Sequence, residues 1–142
     1  MAISYTAVVD VDGEGRNGGH ARSSDGLLET GLALPEELGG AGTATNPEQL
    51  LAAGWAACFL GALRRAATTR KIRLTSTTIT AEITLNHGDD GEFSLSAVLN
   101  PVLGGVDQAT AEELANAAHQ ICPYSKAMRD NIPVTINADA AA

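Results

Sequence analysis

Few side chains in this sequence can do covalent chemistry. Among its 142 residues there are two cysteines, Cys58 and Cys122, and three histidines, His20, His87 and His119. A thiolate can serve as nucleophile, redox centre or metal ligand. Cys58 lies in an apolar run, where a free cysteine is more often core filler, and Cys122 taken alone reads the same way. His119 and Cys122 stand three apart, which on a helix permits a two-ligand clip or a Cys–His pair. No third ligand accompanies them, so no metal is expected and His119 reads as a part-exposed helix residue. Gly40-Ala41-Gly42-Thr43-Ala44-Thr45 precedes a helix start, as a phosphate cradle does. It lacks the Gly-Lys-Ser/Thr ending, so it reads as a surface loop and no bound cofactor is expected.

The elements that must position these residues follow from patterning. Apolar residues make up 44% of the chain and charged residues 18%. That balance suits a folded domain, and the length suits a single one spanning residues 1–142. A net charge of −8 with scattered basic residues argues against nucleic acid as a partner. The start, Met1-Ala2-Ile3-Ser4-Tyr5-Thr6, has no basic or long apolar segment, so a cytoplasmic location is expected. There a permanent disulfide is not expected, and the cysteines are either inert or redox-active. The uncharged stretch Leu50–Leu63 is interrupted by Gly54 and Gly61 and is short for a membrane span, so no membrane partner is expected.

Ile3–Val11 alternates as a strand, and Asp12–Gly19 is a glycine-dense turn. His20–Leu34 returns as one or two short strands broken near Asp25-Gly26. Asn46 as cap, Pro47 as first residue and Gln49 as capping-box partner start a helix from Pro47 to about Ala67. Leu50, Leu51, Trp55, Phe59, Leu60 and Leu63 occupy most of its circumference, so it should be buried all round, one side against a sheet and the other against a second subunit. Thr75–His87 and Phe93–Leu99 form a hairpin. Thr110 and Glu113 make a capping box before a second helix whose inner face carries Leu114, Ala118, Ile121 and Cys122. Pro123 ends that helix, a turn spans Ser125–Asp130, and a last strand lies near Pro133–Asn137. The expected class is α+β, antiparallel β hairpins around two core helices.

Two long segments then change the weight of the cysteines. Thr45-Asn46-Pro47-Glu48-Gln49-Leu50, Ala52-Ala53-Gly54, and Ala57-Cys58-Phe59 with Gly61-Ala62-Leu63 form the first. Ala118-His119, Cys122-Pro123-Tyr124-Ser125 and Asn131-Ile132 form the second, and Ser23-Ser24-Asp25-Gly26 and Leu38-Gly39-Gly40 agree with them. Over nearly its whole length the sequence resembles the organic hydroperoxide resistance proteins of the OsmC-like superfamily. The resemblance implies an OsmC-like fold in an intertwined homodimer. It also implies a thiol peroxidase of alkyl and fatty-acid hydroperoxides, recycled by a lipoyl-type dithiol from a lipoylated protein. By that resemblance Cys58 is the peroxidatic and Cys122 the resolving cysteine. Glu48 matches the family's active-site glutamate, and Arg16 its arginine in the turn after the first strand. Gly18-Gly19-His20-Ala21-Arg22 makes that turn about a residue longer than usual, which leaves Arg22 as the lesser alternative. Trp55 stands where the family usually has tyrosine.

A buried thiol needs a positive charge to ionise, and Arg16 can supply one that never deprotonates. Glu48 would hold Arg16 as an ion pair. Trp55, Phe59 and Leu60 are expected to contact the hydrocarbon tail of the substrate. Ten residues of helix put Glu48 and Cys58 ~15 Å apart along the axis and ~80° apart in direction, so each site should take Cys58 from one subunit and Glu48 from the other. Two rival functions are a Cys-dependent hydrolase or acyl-transferase using His119, and a lipid-binding module with passive cysteines.

Overall fold

The structure, a computed structural model, describes residues 2–142; Met1, where the expected domain begins, lies outside them. The expected strand at Ile3–Val11 forms only at its end, as β1 (Val9–Gly13), because its partner β2 (Gly19–Ser23) reaches no further than Ser23 opposite Val9. Residues 2–8 carry no strand, and Ile3 and Tyr5 are exposed. The break at Asp25-Gly26 separates β2 from β3 (Glu29–Leu32), and the three strands form an antiparallel sheet in the order β1-β2-β3.

The β1–β2 connection is built by glycine. Gly13 and Gly15 adopt φ of 73° and 60°, both positive. Side chains with a Cβ rarely accept that region. Between them and Gly18 the chain makes one 3-10 turn, Gly15–Asn17, closed by Glu14 N–H donating to Gly18 O at 3.0 Å. Arg16 stands at the middle of that turn. A second 3-10 turn, Glu36–Leu38, interrupts the expected loop before the first long helix.

These residues fall in the first of two compact units, Met1–Leu50; the second is Leu51–Ala142. Helix α1 (Pro47–Thr69) begins as the capping residues require, with Asn46 Oδ1 accepting from Gln49 N–H at 2.9 Å. Gln49 itself departs from the capping-box expectation: its side chain accepts from the Thr45 hydroxyl rather than reaching back to the backbone. Within the second unit one stripe of α1 is buried, Trp55, Phe59, Ala62, Leu63, Ala66 and Ala67, while Ala53, Ala57 and Gly61 are exposed. One side of α1 is thus covered within the chain, as expected, and the side expected against a second subunit is left uncovered by the chain itself. By length and composition alone α1 is also long and apolar enough to cross a membrane, contrary to the reading of the Leu50–Leu63 stretch. Its buried stripe nevertheless belongs to the core.

β4 (Ser76–His87) and β5 (Phe93–Gly104) pair antiparallel over twelve residues each. Helix α2 (Gln108–Ile121) starts two residues before the expected capping box. Asp107 is its cap, accepting from Thr110 N–H at 2.8 Å. Leu114, Ala118 and Cys122 are fully buried as expected, but Ile121 is 39% exposed, because it falls at the edge of the buried face made by Ala111, Leu114, Ala115 and Ala118. The segment expected as a turn is a short helix, α3 (Pro123–Met128). β6 (Val134–Ile136) and β7 (Asp139–Ala140) both run parallel to β5, so this sheet is mixed rather than purely antiparallel. The excursion through α2 and α3 is what allows a parallel return. The core joins α1, β5 and α2 through Trp55, Phe59, Leu63, Leu99, Leu103 and Leu114, all fully buried.

Candidate active site

Helix α1 presents Cys58 half-buried, and the corner between α2 and α3 presents Cys122 fully buried. Pro123 makes that corner: it removes a donor needed to continue α2 and suits the first position of α3. Cys122, at φ −61° and ψ 121°, is at once the last cap of α2 and the first cap of α3. Both thiols are free, and Cys122 Sγ donates to Cys58 Sγ at 2.9 Å although 64 residues separate them. A disulfide needs ~2.05 Å, so a sulfur movement of about 0.9 Å closes the bond.

Burial pushes the Cys58 thiol up from its ordinary value, and the hydrogen bond from Cys122 pushes the same way. The backbone N–H of Tyr124 acts in the opposite sense, favouring the thiolate. Two residues beside Cys122 thus matter that the sequence reading left outside the site. Tyr124 gives this N–H, and its ring lies along α1 where Gly54 has no side chain. A Cβ at Gly54 would stand 3.1 Å from the Tyr124 hydroxyl oxygen and 3.4 Å from the ring. Ser125 is fully buried and its Oγ accepts from Trp55 Nε1–H at 3.1 Å. The signal that could have found both was their adjacency to Cys122 and the proline that starts a helix there.

Of the three residues expected along the substrate tail, Trp55 and Phe59 are fully buried in the core. Neither presents surface to a ligand in this chain; they sit on the core-facing stripe of α1, one on each side of Cys58. Leu60, part-buried, does present surface.

In the first unit, Arg16 and Glu48 form a fork-on-fork ion pair, Nη1 to Oε2 at 2.8 Å and Nη2 to Oε1 at 2.7 Å. Such a pair fixes both planes as well as the charge. Each group shifts its partner's affinity for protons in the expected sense. The hydrogen bonds from Arg16 hold the Glu48 carboxyl below its ordinary value against the opposing effect of burial, and those to Glu48 raise Arg16 further. Glu48 lies in the first turn of α1, where the helix dipole favours a carboxylate. Arg22 is exposed on β2, opposite Asp10 and Glu29 in the sheet register, and its side chain makes no hydrogen bond among the described residues. Arg16 is thus the arginine brought to Glu48.

His119, half-buried on α2, has its pKa lowered by burial and by Arg129, and its Nδ1 is buried with no partner among the described residues. His20 faces Glu29 at 3.5 Å. Among the described residues no three His, Cys, Asp or Glu side chains converge as metal ligands would.

The sequence profile of the OsmC-like protein family matches residues 40–137. The organic hydroperoxide resistance protein of Xanthomonas axonopodis pv. citri is 43% identical over 136 residues, covering 94% of each chain. The chain belongs to the organic hydroperoxide resistance branch of the OsmC-like family. Solved structures of that family carry the same fold. One is an organic hydroperoxide resistance protein from Legionella pneumophila, at a TM-score of 0.90 and 41% identity, covering 99% of this chain and 100% of that one. The OhrB protein of Bacillus subtilis follows at 0.84 and 38%, covering 96% and 98%. The family match includes Glu48, Cys58 and Cys122 but begins after the β1–β2 turn that holds Arg16.

Proposed function

We propose that this chain is a two-cysteine thiol peroxidase that reduces organic hydroperoxides to alcohols, as a single OsmC-like domain acting in the cytoplasm. Its family gives it a role in organic hydroperoxide resistance. The observation that carries the finer reading is the pair of free thiols in contact, Cys58 and Cys122 at 2.9 Å. Cys58, as thiolate, attacks the terminal peroxide oxygen. The O–O bond breaks, the alkoxide leaves and takes a proton to become the alcohol, and Cys58 is left as a sulfenic acid. Cys122 Sγ then attacks Cys58 Sγ, and the hydroxyl leaves as water with the thiol proton. A dithiol of the lipoyl class, carried on a lipoylated protein, restores both thiols by exchange.

Arg16 supplies the charge that lowers the Cys58 pKa and stabilises the leaving oxygen, and Glu48 fixes the fork of Arg16. The ten residues of α1 between Glu48 and Cys58 support a homodimer in which Arg16 and Glu48 of one subunit act on Cys58 of the other. Leu60 offers apolar contact to a hydrocarbon tail, and Trp55 and Phe59 hold that turn of α1 from the core side.

The hydrolase alternative needs a histidine on the nucleophile. The hydrogen bonds to Cys58 come instead from Cys122 and from the Tyr124 backbone. Turnover of a fatty-acid hydroperoxide with dihydrolipoamide tests the proposal. The expected result is catalytic alcohol formation that Cys58→Ser abolishes and His119→Ala leaves intact. Binding of the lipid without consumption would make the protein a carrier, and dithiol-independent ester cleavage would make it a hydrolase.

A further inference from the structure

We propose that Trp55 and Ser125 are a positioning pair that holds Cys122 against Cys58 for disulfide closure, an inference that rests on the peroxidase reading above. Trp55 is the only tryptophan in the sequence, and its indole N–H donates to Ser125 Oγ at 3.1 Å with both side chains fully buried. Trp55 precedes Cys58 by three residues on α1, and Ser125 follows Cys122 by three in α3. Residues three apart on a helix lie on one face. The Trp55–Ser125 bond and the Cys122–Cys58 contact therefore join the same two elements side by side, one turn apart.

The corner that carries Cys122 needs such a tie. Helix α3 has only six residues, far below the length at which a helix holds its own shape in water. Ser125 is its one buried side chain. A second tie runs the other way, from Arg129 Nη1 at the end of α3 to the carbonyl oxygen of His119 on α2, at 2.7 Å. That bond fastens α3 to α2, the helix before it. Among the described residues, two hydrogen bonds fasten α3 to the helix that bears Cys58: the Tyr124 backbone N–H on Cys58 itself, which involves the reacting sulfur, and the Trp55–Ser125 bond, which involves no reacting atom and persists through the reaction. Without the Trp55–Ser125 bond, α3 and Cys122 sample more positions in the dithiol state, and the effective concentration of one thiol at the other falls. The step affected is resolution: Cys122 Sγ bonds to Cys58 Sγ, the S–O bond of the sulfenic acid breaks, and water leaves. The first step, attack of Cys58 on the hydroperoxide, does not use the tie.

The test is the thiol–disulfide equilibrium of the full-length protein in buffers of reduced and oxidised dithiothreitol. It compares wild type, Ser125→Ala, Trp55→Phe, the double variant and Ser125→Thr, which keeps a hydroxyl acceptor. Each single variant should shift the equilibrium roughly five- to tenfold toward the dithiol, the yield of one buried hydrogen bond. The double variant should shift it no further, and Ser125→Thr should stay near wild type. With a several-fold excess of cumene hydroperoxide, which supplies the second oxidising equivalent, Ser125→Ala should form sulfenic acid at the wild-type rate yet accumulate several times more Cys58 sulfinic acid. A purely structural pair would lower the unfolding temperature and leave the equilibrium unmoved. Folded single variants with a wild-type equilibrium, additive losses in the double variant, or failure of both single variants to fold would each overturn the proposal. If wild type leaves hydroperoxide unconsumed while the equilibrium responds as predicted, the peroxidase reading fails and the positioning pair stands.

Discussion

Cys58 is held in a setting that opposes its own reactivity. Burial and a hydrogen bond from Cys122 raise its pKa, and one backbone N–H works against them. A thiol above its ordinary value is almost wholly protonated at neutral pH, so a peroxidase built on it depends on a cation. Arg16→Ala should slow Cys58 oxidation by organic hydroperoxide roughly a hundredfold, and Arg16→Lys by roughly tenfold, since it keeps the charge and loses the fork. Stopped-flow kinetics read both, with Arg22→Ala as the control expected at the wild-type rate. The Glu48 carboxyl gives a pH prediction. Arg16 depresses its folded pKa below the ordinary 4.5. The pair therefore stabilises the fold above that value, and the contribution is lost as pH falls through the depressed one. Glu48→Gln should lower the unfolding temperature at about pH 7, and the gap to wild type should narrow progressively as the pH is taken below 4.5.

At the scale of elements, two caps fix where the helices carrying the site begin. Removing either Asn46 or Asp107 as alanine should cost about 1 kcal/mol, or a fall of roughly 3–5 °C in the unfolding temperature by calorimetry. Asn46 was legible in the sequence because Pro47 and Gln49 flank it. Asp107 was not: Thr110 and Glu113 offer the same pattern three residues on, and only the accepted bond from Thr110 N–H separates the registers. As candidates, the cysteines and Glu48 stood out through long motifs and Arg16 through the glycine turn after the first strand, but the tie between Trp55 and Ser125 did not. Trp55 reads as a pocket wall until its neighbours are known, and a six-residue helix after Cys-Pro is too short for any period to show. The parallel strands β6 and β7 escaped for a related reason. Strand direction is set by the crossover of α2 and α3, not by the three residues of β6 or the two of β7.

At the scale of the whole molecule, the chain leaves apolar surface that its own elements do not cover, including Ile3, Tyr5 and Val11 before and along β1. Together with the exposed Ala53, Ala57 and Gly61 on α1, this supports assembly with a second copy. If each site draws Cys58 from one subunit and Arg16 with Glu48 from the other, mixing inactive Cys58→Ser and Glu48→Ala subunits should restore activity. A mixed dimer carries one intact site, so about a quarter of wild-type activity is expected at equal amounts after full exchange, by the statistics of random pairing. No recovery after demonstrated exchange would place each site within one chain. The claim on which all of this depends is the two-cysteine reaction itself. Its most direct measurement adds one equivalent of a fatty-acid hydroperoxide per chain to the reduced protein, then measures alcohol formed and intact mass without reductant. The predicted result is one alcohol per chain, loss of the two thiol hydrogens, and a Cys58–Cys122 bond within a single chain. Unconsumed hydroperoxide, a bond between chains, or oxidised Cys58 with Cys122 still a free thiol would contradict it.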